Sequence, residues 1–277
     1  MQQRVGNLSL HFHEVGSGKP ILMLHGWSLD HLSMKGAMEG IFANRPGWKR
    51  IYLDLPGMGQ SDAPDWLKTQ DQVLEIIIKF TDTVIPNETF CLAGLSYGGL
   101  LAQGLIYHLA HRIDGVLFLV PSMASLDRET FPSHVVMHEE LLDFNGLDEN
   151  EVKAFKDRAI VQTQAHLEAW RKYIFPGTSK ANYAFLDKLQ RDYSFDVEKL
   201  PQPFSAPVLF LLGRQDSRVG YRDVWRIIEN YPHASLVILD RAGHCLQMEQ
   251  PDIYAVLVHE WLDRVEEYAF KNKVRTS

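Results

Sequence analysis

The sequence predicts an α/β fold in which a mainly parallel sheet is covered by helices on both faces. Six short, dense apolar runs, bounded by Gly, Pro, Ser or Asp, have the length of strands. Near-continuous apolar strands are typical of sheets buried on both faces. Segments with helical periodicity alternate with several of these runs, which favours parallel strands joined by helices. The length of 277 residues suits one large domain, or one domain with an insertion.

The elements follow in order along the chain. Residues 8–15 ("LSLHFHEV") alternate apolar and polar side chains, as a half-exposed strand does. The apolar runs lie at 20–26, 50–57, 89–96, 115–122, 207–216 and 235–244. Apolar residues recur at helical spacing in three segments, 96–112, 222–231 and 250–270.

One region breaks this alternation and predicts an inserted helical cap. Residues 122–203 show no strand signal and suggest helices at about 133–142, 149–164 and 182–191. The region begins directly after one predicted strand and ends just before another, with "LPQPFSAP" as the returning linker. We therefore expect a core domain formed by residues 1–121 and 204–277, and a cap or lid formed by residues 122–203.

Composition and charge exclude several classes of partner. The formal net charge is −7 and no long run of Lys or Arg occurs, which argues against nucleic acid. The two cysteines form no disulfide framework and fit a reducing compartment. No stretch approaches 18 apolar residues and the first residues contain no apolar signal core, so we expect a soluble cytoplasmic protein without a membrane partner. Oligomeric state is not predicted.

A serine stands between two glycines where a predicted strand meets a predicted helix. Gly94, Ser96 and Gly98 fit the pattern G-x-S-x-G. A sharp strand-to-helix turn strains the backbone of the serine and exposes its hydroxyl, and small residues two positions before and after it avoid collisions. The alternative is a serine that only caps the helix. The strand-to-helix context favours Ser96 as a nucleophile.

A serine nucleophile needs a base, and the base needs an orienting carboxylate. His244 follows a late strand and precedes the last helix, so its imidazole can project over the strand ends. Asp216 comes just past the preceding strand. Asp240 is the rival acid, but it lies only four residues before His244, within or at the end of a strand. Asp216 and His244 are the predicted acid and base; ordinary turn and loop roles are their alternatives.

An acyl-transfer site also needs two N–H donors for the developing oxyanion. The backbone N–H of Tyr97, directly after the serine, is one candidate. The second should come from the turn after "ILMLHG", from the N–H of Trp27 or of a neighbour, since His25 and Gly26 allow a tight turn there.

Taken together, these stretches resemble the α/β-hydrolase superfamily, in its esterase-like branch with a helical cap. The matching stretches are "LHGWSLD", "LDLPGMGQSD", "GLSYGG", "LLGRQDSRVG" and "RAGHCLQMEQP", which run from about residue 20 to 262 in the order of the family. The resemblance implies Ser96 as nucleophile, Asp216 as acid and His244 as base, and it implies no cofactor. Asp54 and Ser61 match a family loop that is mostly structural.

The expected function is hydrolysis of a small carboxylic ester through an acyl-enzyme on Ser96. Relatives that cleave carbon–halogen bonds or epoxides carry Asp as nucleophile, so the serine favours acyl chemistry. Carbon–carbon bond hydrolysis of a dienoic product and lactone opening use the same triad and stay open, as does a ligand sensor on this fold. Residues 121–203 contain 10 Lys and Arg against 14 Asp and Glu, which argues against an acidic protein partner.

Other chemistry-bearing residues favour structural roles. His134 and His138 stand four residues apart on a predicted helix, but no third metal ligand is evident, so we expect no metal site. Cys245 and Cys91 are expected to be buried fillers, and the absence of a phosphate-loop pattern predicts no nucleotide. Bulky apolar groups of the predicted cap pack its helices, and a few line an acyl pocket; they are Phe131, Met137, Phe144, Phe155, Trp170 and Tyr173.

Overall fold

An eight-stranded sheet runs through the structure, a computed structural model that describes residues 1–194 and 196–276. The strands in chain order are β1 (Gln2–Val5), β2 (Leu8–Val15), β3 (Lys19–Leu24), β4 (Trp48–Leu53), β5 (Phe90–Leu95), β6 (Ile113–Leu119), β7 (His138–Glu139), β8 (Val161–Gln162), β9 (Val208–Gly213) and β10 (Ala234–Leu239). The spatial order is β1-β2-β4-β3-β5-β6-β9-β10. The pairs β1–β2 and β2–β4 are antiparallel and the others parallel, as the apolar runs predict.

Helices cover both faces of this sheet. They are α1 (His31–Phe42), α2 (Gln70–Val84), α3 (Tyr97–Leu109), α4 (Glu149–Lys156), α5 (Gln164–Tyr173), α6 (Phe175–Lys180), α7 (Tyr183–Lys188), α8 (Leu246–Glu249) and α9 (Pro251–Thr276). Successive side chains of β3 enter opposite cores, since Leu22 and Leu24 pack with α2 and α3 while Ile21 and Met23 pack with α1 and α9. None of the helices in these two ranges has the length and hydropathy of a membrane span.

The segment at 222–231, predicted as a helix, is instead two 3₁₀ turns, Asp223–Arg226 and Ile228–Asn230. Its buried residues Val224 and Ile227 are three positions apart, a spacing that fits the 3₁₀ repeat as well as the α-helix. Periodicity alone therefore does not separate the two conformations.

The region between β6 and β9 contains fewer helical residues than predicted. No helix forms at 133–142; the segment is extended and β7 pairs with β8, so the expectation of no strand here is wrong. Its apolar residues do not share a buried face, since Val135, Val136 and Leu141 are all exposed. The predicted helix at 149–164 ends at Lys156, because residues 159–162 turn back to form β8.

The insert (residues 122–203) lies across the carboxyl-terminal edge of the sheet. Helix α5 contacts α1 and α8, and α6 contacts α1. The fit is close at Gly177, where a Cβ atom would collide with the backbone of Leu29 and Asp30. The loops that follow the parallel strands therefore lie beneath the insert. Whether the insert is a separate domain with the bounds predicted stays a prediction.

Candidate active site

Ser96 lies in a strained turn between β5 and α3. Its backbone has φ 52° and ψ −113°, in the left-handed region that disfavours side chains. The flanking glycines are required sterically, since a Cβ at Gly94 would overlap the carbonyl of Gly98, and one at Gly98 would overlap that of Leu24. The predicted elbow supports of the serine thus stand where the packing leaves no room for a side chain.

Strain is concentrated around this turn. Four non-glycine residues in the described ranges have positive φ, and three surround the site: Ser28, Ser96 and Val120. Ser28 lies in the loop after β3, and Val120 follows β6. The Ser96 N–H donates to the carbonyl of Leu119 at 2.9 Å, and the Ser96 carbonyl accepts from the N–H of Ser122 at 2.9 Å. The end of β6 therefore holds the elbow in place.

The structure brings Ser96, His244 and Asp216 together in a chain of hydrogen bonds. His244 Nε2 lies 3.0 Å from Ser96 Oγ, and His244 Nδ1 lies 2.8 Å from Asp216 Oδ2. Asp216 is fully buried, and its Oδ1 accepts from the backbone N–H groups of Arg218 and Val219 at 2.8 and 3.1 Å. The carboxylate is thus fixed on one side by backbone donors and faces the imidazole on the other. Asp240, the rival acid, is exposed.

Of the two predicted oxyanion donors, Trp27 lies in the loop after β3, and Tyr97 is the first residue of α3, directly after Ser96. A Cβ at Gly26 would be 3.5 Å from the Ser96 Cβ, so the loop after β3 approaches the serine directly. Over residues 1–194 and 196–276, neither the Trp27 nor the Tyr97 amide N–H donates to a protein acceptor. The rings of Trp27 and Tyr97 pack edge to face at 4.9 Å. Two amides without protein acceptors therefore lie next to the serine.

His25 links the loop after β3 to the loop after β4. It is fully buried, its Nε2 accepts from the Leu55 N–H at 3.0 Å, and its Nδ1 lies 2.8 Å from the Gly26 carbonyl. Burial lowers the pKa of the His25 imidazole and keeps it neutral, which one donated and one accepted bond require. His25 is thus a structural tie between the loops after β3 and β4.

Ser96 and His244 open into a cavity of about 260 Å³ under the insert. Its walls combine apolar side chains with three arginines that the sequence did not single out, because cationic residues scattered along the chain form no motif. The lining residues are Gly26, Trp27, Ser28, Leu29, Leu95, Ser96, Arg158, Trp170, Ile174, Arg191, Arg218, Val219, His244, Cys245 and Gln247. Of the six bulky cap residues named from the sequence, Trp170 lines this cavity, and Phe155 lies in the small apolar cluster beneath it.

The other candidate ligands have structural partners. His134 Nε2 lies 3.0 Å from the Lys156 carbonyl, and the extended backbone there removes the helical pairing with His138. Cys91 and Cys245 are buried, and burial raises the pKa of both thiols. Both cysteines are thus buried fillers, as predicted.

Asp54 anchors a histidine cluster on the other side of the loop after β3. Its oxygens lie 2.8 Å from His11 Nδ1 and 2.9 Å from His31 Nδ1, an arrangement with the ligand types of a metal site. The same oxygens accept from the backbone N–H groups of His31 and Gln60 at 2.7 and 3.0 Å, and Ser61 Oγ donates to the Asp54 carbonyl. The Asp54 carboxylate thus holds two loops together through hydrogen bonds, which agrees with the structural role predicted for Asp54 and Ser61.

Glu249 is a buried carboxylate that the sequence analysis missed. Its oxygens accept from the backbone N–H of Gly243, next to His244, and from that of Ile160 in the insert, at 2.5 and 2.9 Å. Burial raises the pKa of the Glu249 carboxyl to about 7, against the opposing effect of these two N–H donors. Nothing in "HCLQMEQP" distinguishes this glutamate from an exposed one, so the sequence carries no signal for it.

We expect Glu249 to make stability fall as pH rises. A carboxyl with a raised folded pKa favours folding below its unfolded pKa of about 4.5, and this contribution is lost as pH rises through about 7. Because Glu249→Gln stays neutral, urea denaturation of wild type and variant between pH 4.5 and 8 should show the difference in unfolding free energy changing by about 3 kcal/mol. Exposed Glu267→Gln is the control; parallel pH curves for wild type and Glu249→Gln would contradict the expectation.

The amino-acid sequence is similar to those of known hydrolases. A sequence profile described as the alpha/beta hydrolase family matches residues 21–257. The pimeloyl-(acyl-carrier protein) methyl ester esterase of Legionella pneumophila (strain Corby) is 25% identical over 256 residues, covering 92% of this chain and 100% of that protein.

Solved structures give the same result. An alpha/beta superfamily hydrolase from Oenococcus oeni PSU-1 superposes with a TM-score of 0.84 at 32% identity, covering 94% of this chain and 97% of that one. A putative aryl esterase from Burkholderia cenocepacia superposes with a TM-score of 0.74 at 17% identity, covering 94% and 96%. The similarity thus extends over nearly the whole chain, insert included.

Proposed function

Because the chain belongs to the α/β-hydrolase family, we propose that it is a serine hydrolase that cleaves small carboxylic esters. The observation that carries the proposal is the position of His244, which lies within hydrogen-bond distance of both Ser96 Oγ and Asp216. The name of a relative that covers the same length, a methyl ester esterase, agrees with the prediction of an ester hydrolase.

The acylation step follows from this arrangement. Asp216 fixes the proton of His244 on Nδ1, which leaves Nε2 free to accept the Ser96 hydroxyl proton as Oγ attacks the ester carbonyl. The Asp216 carboxylate then stabilises the imidazolium. His244 returns the proton to the leaving alcohol, and an acyl-Ser96 ester remains.

In this proposal, the backbone N–H groups of Trp27 and Tyr97 stabilise the negative charge that develops on the carbonyl oxygen. As the carbonyl carbon becomes tetrahedral, its oxygen becomes an anion that two fixed N–H donors stabilise more than they stabilise the planar ester. Water then attacks the acyl carbon while His244 Nε2 takes its proton. The bond from the acyl carbon to Ser96 Oγ breaks, His244 returns the proton to Oγ, and the acid leaves. The proposed steps use only protein groups and water.

The insert supplies the wall over this reaction. Trp170 and Ile174 of the insert line the cavity opposite the loops that carry Ser96 and His244. We infer that residues 122–203 act as a cap that sets the size of the substrate. We also infer that the substrate is a small molecule and not nucleic acid, given the net charge of −7, and that the two free cysteines fit a cytoplasmic location.

The proposal predicts repeated turnover of an activated ester. We expect p-nitrophenyl butyrate to be hydrolysed through many catalytic cycles and the activity to be lost on treatment with a fluorophosphonate. A single burst equal to the enzyme concentration, followed by a persistent adduct, would instead indicate a ligand sensor. A parallel panel of lactones and dienoic ring-cleavage products tests the alternative substrates, and a kcat/KM for one of these far above that of every ester would contradict the proposal.

A further inference from the structure

Three guanidinium groups line the cavity that holds Ser96. Arg158 belongs to the insert just after α4, Arg191 follows α7, and Arg218 follows β9 next to the Asp216 loop. Three separate parts of the chain thus each bring a cation to one cavity of about 260 Å³. A cavity built for neutral esters alone has no need of such charge.

These cations have no carboxylate partner of their own. Within the described residues, no ion pair or side-chain hydrogen bond involves the guanidinium of Arg158, Arg191 or Arg218. Arg158 is half-buried, with its guanidinium 5.6 Å from the centre of the Trp170 ring, and that of Arg191 is 4.3 Å from the centre of the Trp27 ring. Arg158 and Arg191 are therefore held by aromatic faces, which leave their N–H donors available, and Arg218 is exposed at the cavity wall.

The acidic groups near these arginines bond to other partners. Asp157 pairs with Lys153 at 2.7 Å. Asp216 bonds to His244 and to backbone N–H groups, and Glu249 to two backbone N–H groups. Among the described residues, none of these carboxylates therefore forms an ion pair with the cavity arginines, and the proximity of Arg218 lowers the pKa of the Arg158 guanidinium, after the larger effect of burial.

Gln247 adds an unused polar group to the same wall. It is 7% exposed and lines the cavity, and its buried Oε1 has no hydrogen-bond partner in the parts of the chain that the structure describes. A buried amide without a partner is costly unless a ligand satisfies it. The remaining walls are largely apolar, with Leu29, Ile174 and Val219 among them.

Resting on the proposed ester hydrolysis, we propose that the substrate carries a carboxylate of its own, which Arg158 and Arg218 bind while the ester carbonyl lies at Ser96. Arginine binds carboxylates through paired N–H donors, and such charge-assisted bonds are about twice as strong as neutral ones. The apolar lining of the cavity suits a short aliphatic chain between the carboxylate and the ester group of the substrate. The substrate class is thus the monoester of a short dicarboxylic acid.

The test compares two esters of equal length. The mono-p-nitrophenyl ester of adipic acid carries the charge, and p-nitrophenyl hexanoate lacks it. We expect wild-type kcat/KM to favour the adipate ester at least tenfold at low ionic strength, and the preference to shrink as salt is added. Ser96→Ala provides the blank for both esters.

Substitutions of the two arginines then test whether they bind the substrate carboxylate. Arg158→Gln and Arg218→Gln should each lower the ratio of kcat/KM, adipate ester over hexanoate ester, by about tenfold. Arg4→Gln, an exposed residue on β1, removes the same charge far from the cavity and should leave the ratio unchanged. Since Arg218 is exposed, its variant should fold even if Arg158→Gln does not.

Binding provides a readout without turnover. Ser96→Ala should bind adipate more tightly than hexanoate by calorimetry, and the Arg218→Gln change should remove the difference. Equal or better hydrolysis of hexanoate by wild type would overturn the carboxylate proposal and leave ester hydrolysis standing. Absence of hydrolysis of either ester, with selective adipate binding retained, would contradict ester hydrolysis and leave carboxylate recognition standing.

Discussion

Ser96→Ala is expected to lower kcat for p-nitrophenyl butyrate by at least about 10⁴-fold, since no other group in the proposed mechanism forms the acyl-enzyme. Labelling by a fluorophosphonate should vanish with it. The alanine keeps the Cβ and the strained backbone, so thermal unfolding and circular dichroism should stay close to wild type. Steady-state kinetics and intact-mass analysis of the labelled protein measure the two losses.

A neighbouring serine provides the control. Ser122 touches the elbow through its backbone, and Ser122→Ala removes a hydroxyl without removing the proposed nucleophile. That variant should retain labelling and most of the activity. If Ser96→Ala kept a tenth of wild-type activity, or stayed labelled with the same stoichiometry, another residue would have to be the nucleophile.

Asp216→Asn should lower kcat by about 10³- to 10⁴-fold with little change in fold. The asparagine carbonyl can still accept from the N–H groups of Arg218 and Val219, so the loop keeps its anchors. Its amide N–H₂ would then face His244 Nδ1, which forces the imidazole proton onto Nε2. An Nε2–H group cannot take the Ser96 proton.

The matched change is Asp240→Asn, in the same region of the chain. Asp240 is exposed, and its one side-chain hydrogen bond among the described residues is a long 3.3 Å contact from Gln215, so this variant should keep near wild-type kcat. Both variants lose one negative charge, but only Asp216→Asn changes the partner of the His244 imidazole. Comparing their kcat values on one ester at one pH therefore separates the effect of imidazole orientation from the effect of lost charge. Equal activity of the two variants would move the orienting acid elsewhere.

Local signals predicted the sheet and the elbow well. Strands β3, β4 and β5 begin within two residues of where the apolar runs begin, because strands buried on both faces read as near-continuous apolar runs. The meeting of Ser96, Asp216 and His244 follows from topology, since parallel strands end at one edge. The profile match confirms the α/β-hydrolase resemblance on which their roles were based.

The cavity and the insert could not be predicted in the same way. Arg158, Arg191 and Arg218 come from three loops, so only tertiary packing makes them neighbours. Glu249 reads as an ordinary acidic residue until its two backbone donors are seen. The extended segment containing β7 pairs with residues more than twenty positions away, and single-sequence periodicity does not register such a partner.

The positive φ angles of Ser28, Ser96 and Val120 have an evolutionary consequence. Each such residue costs about 1–3 kcal/mol, comparable together to a large share of the net stability of a domain. Glycine would relax the backbone at any of the three. A laboratory selection for heat resistance alone would therefore drift towards glycine at these positions and remove the proposed nucleophile. If Ser96 has the proposed role, selection for turnover retains the strained serine and recovers the lost stability elsewhere in the protein.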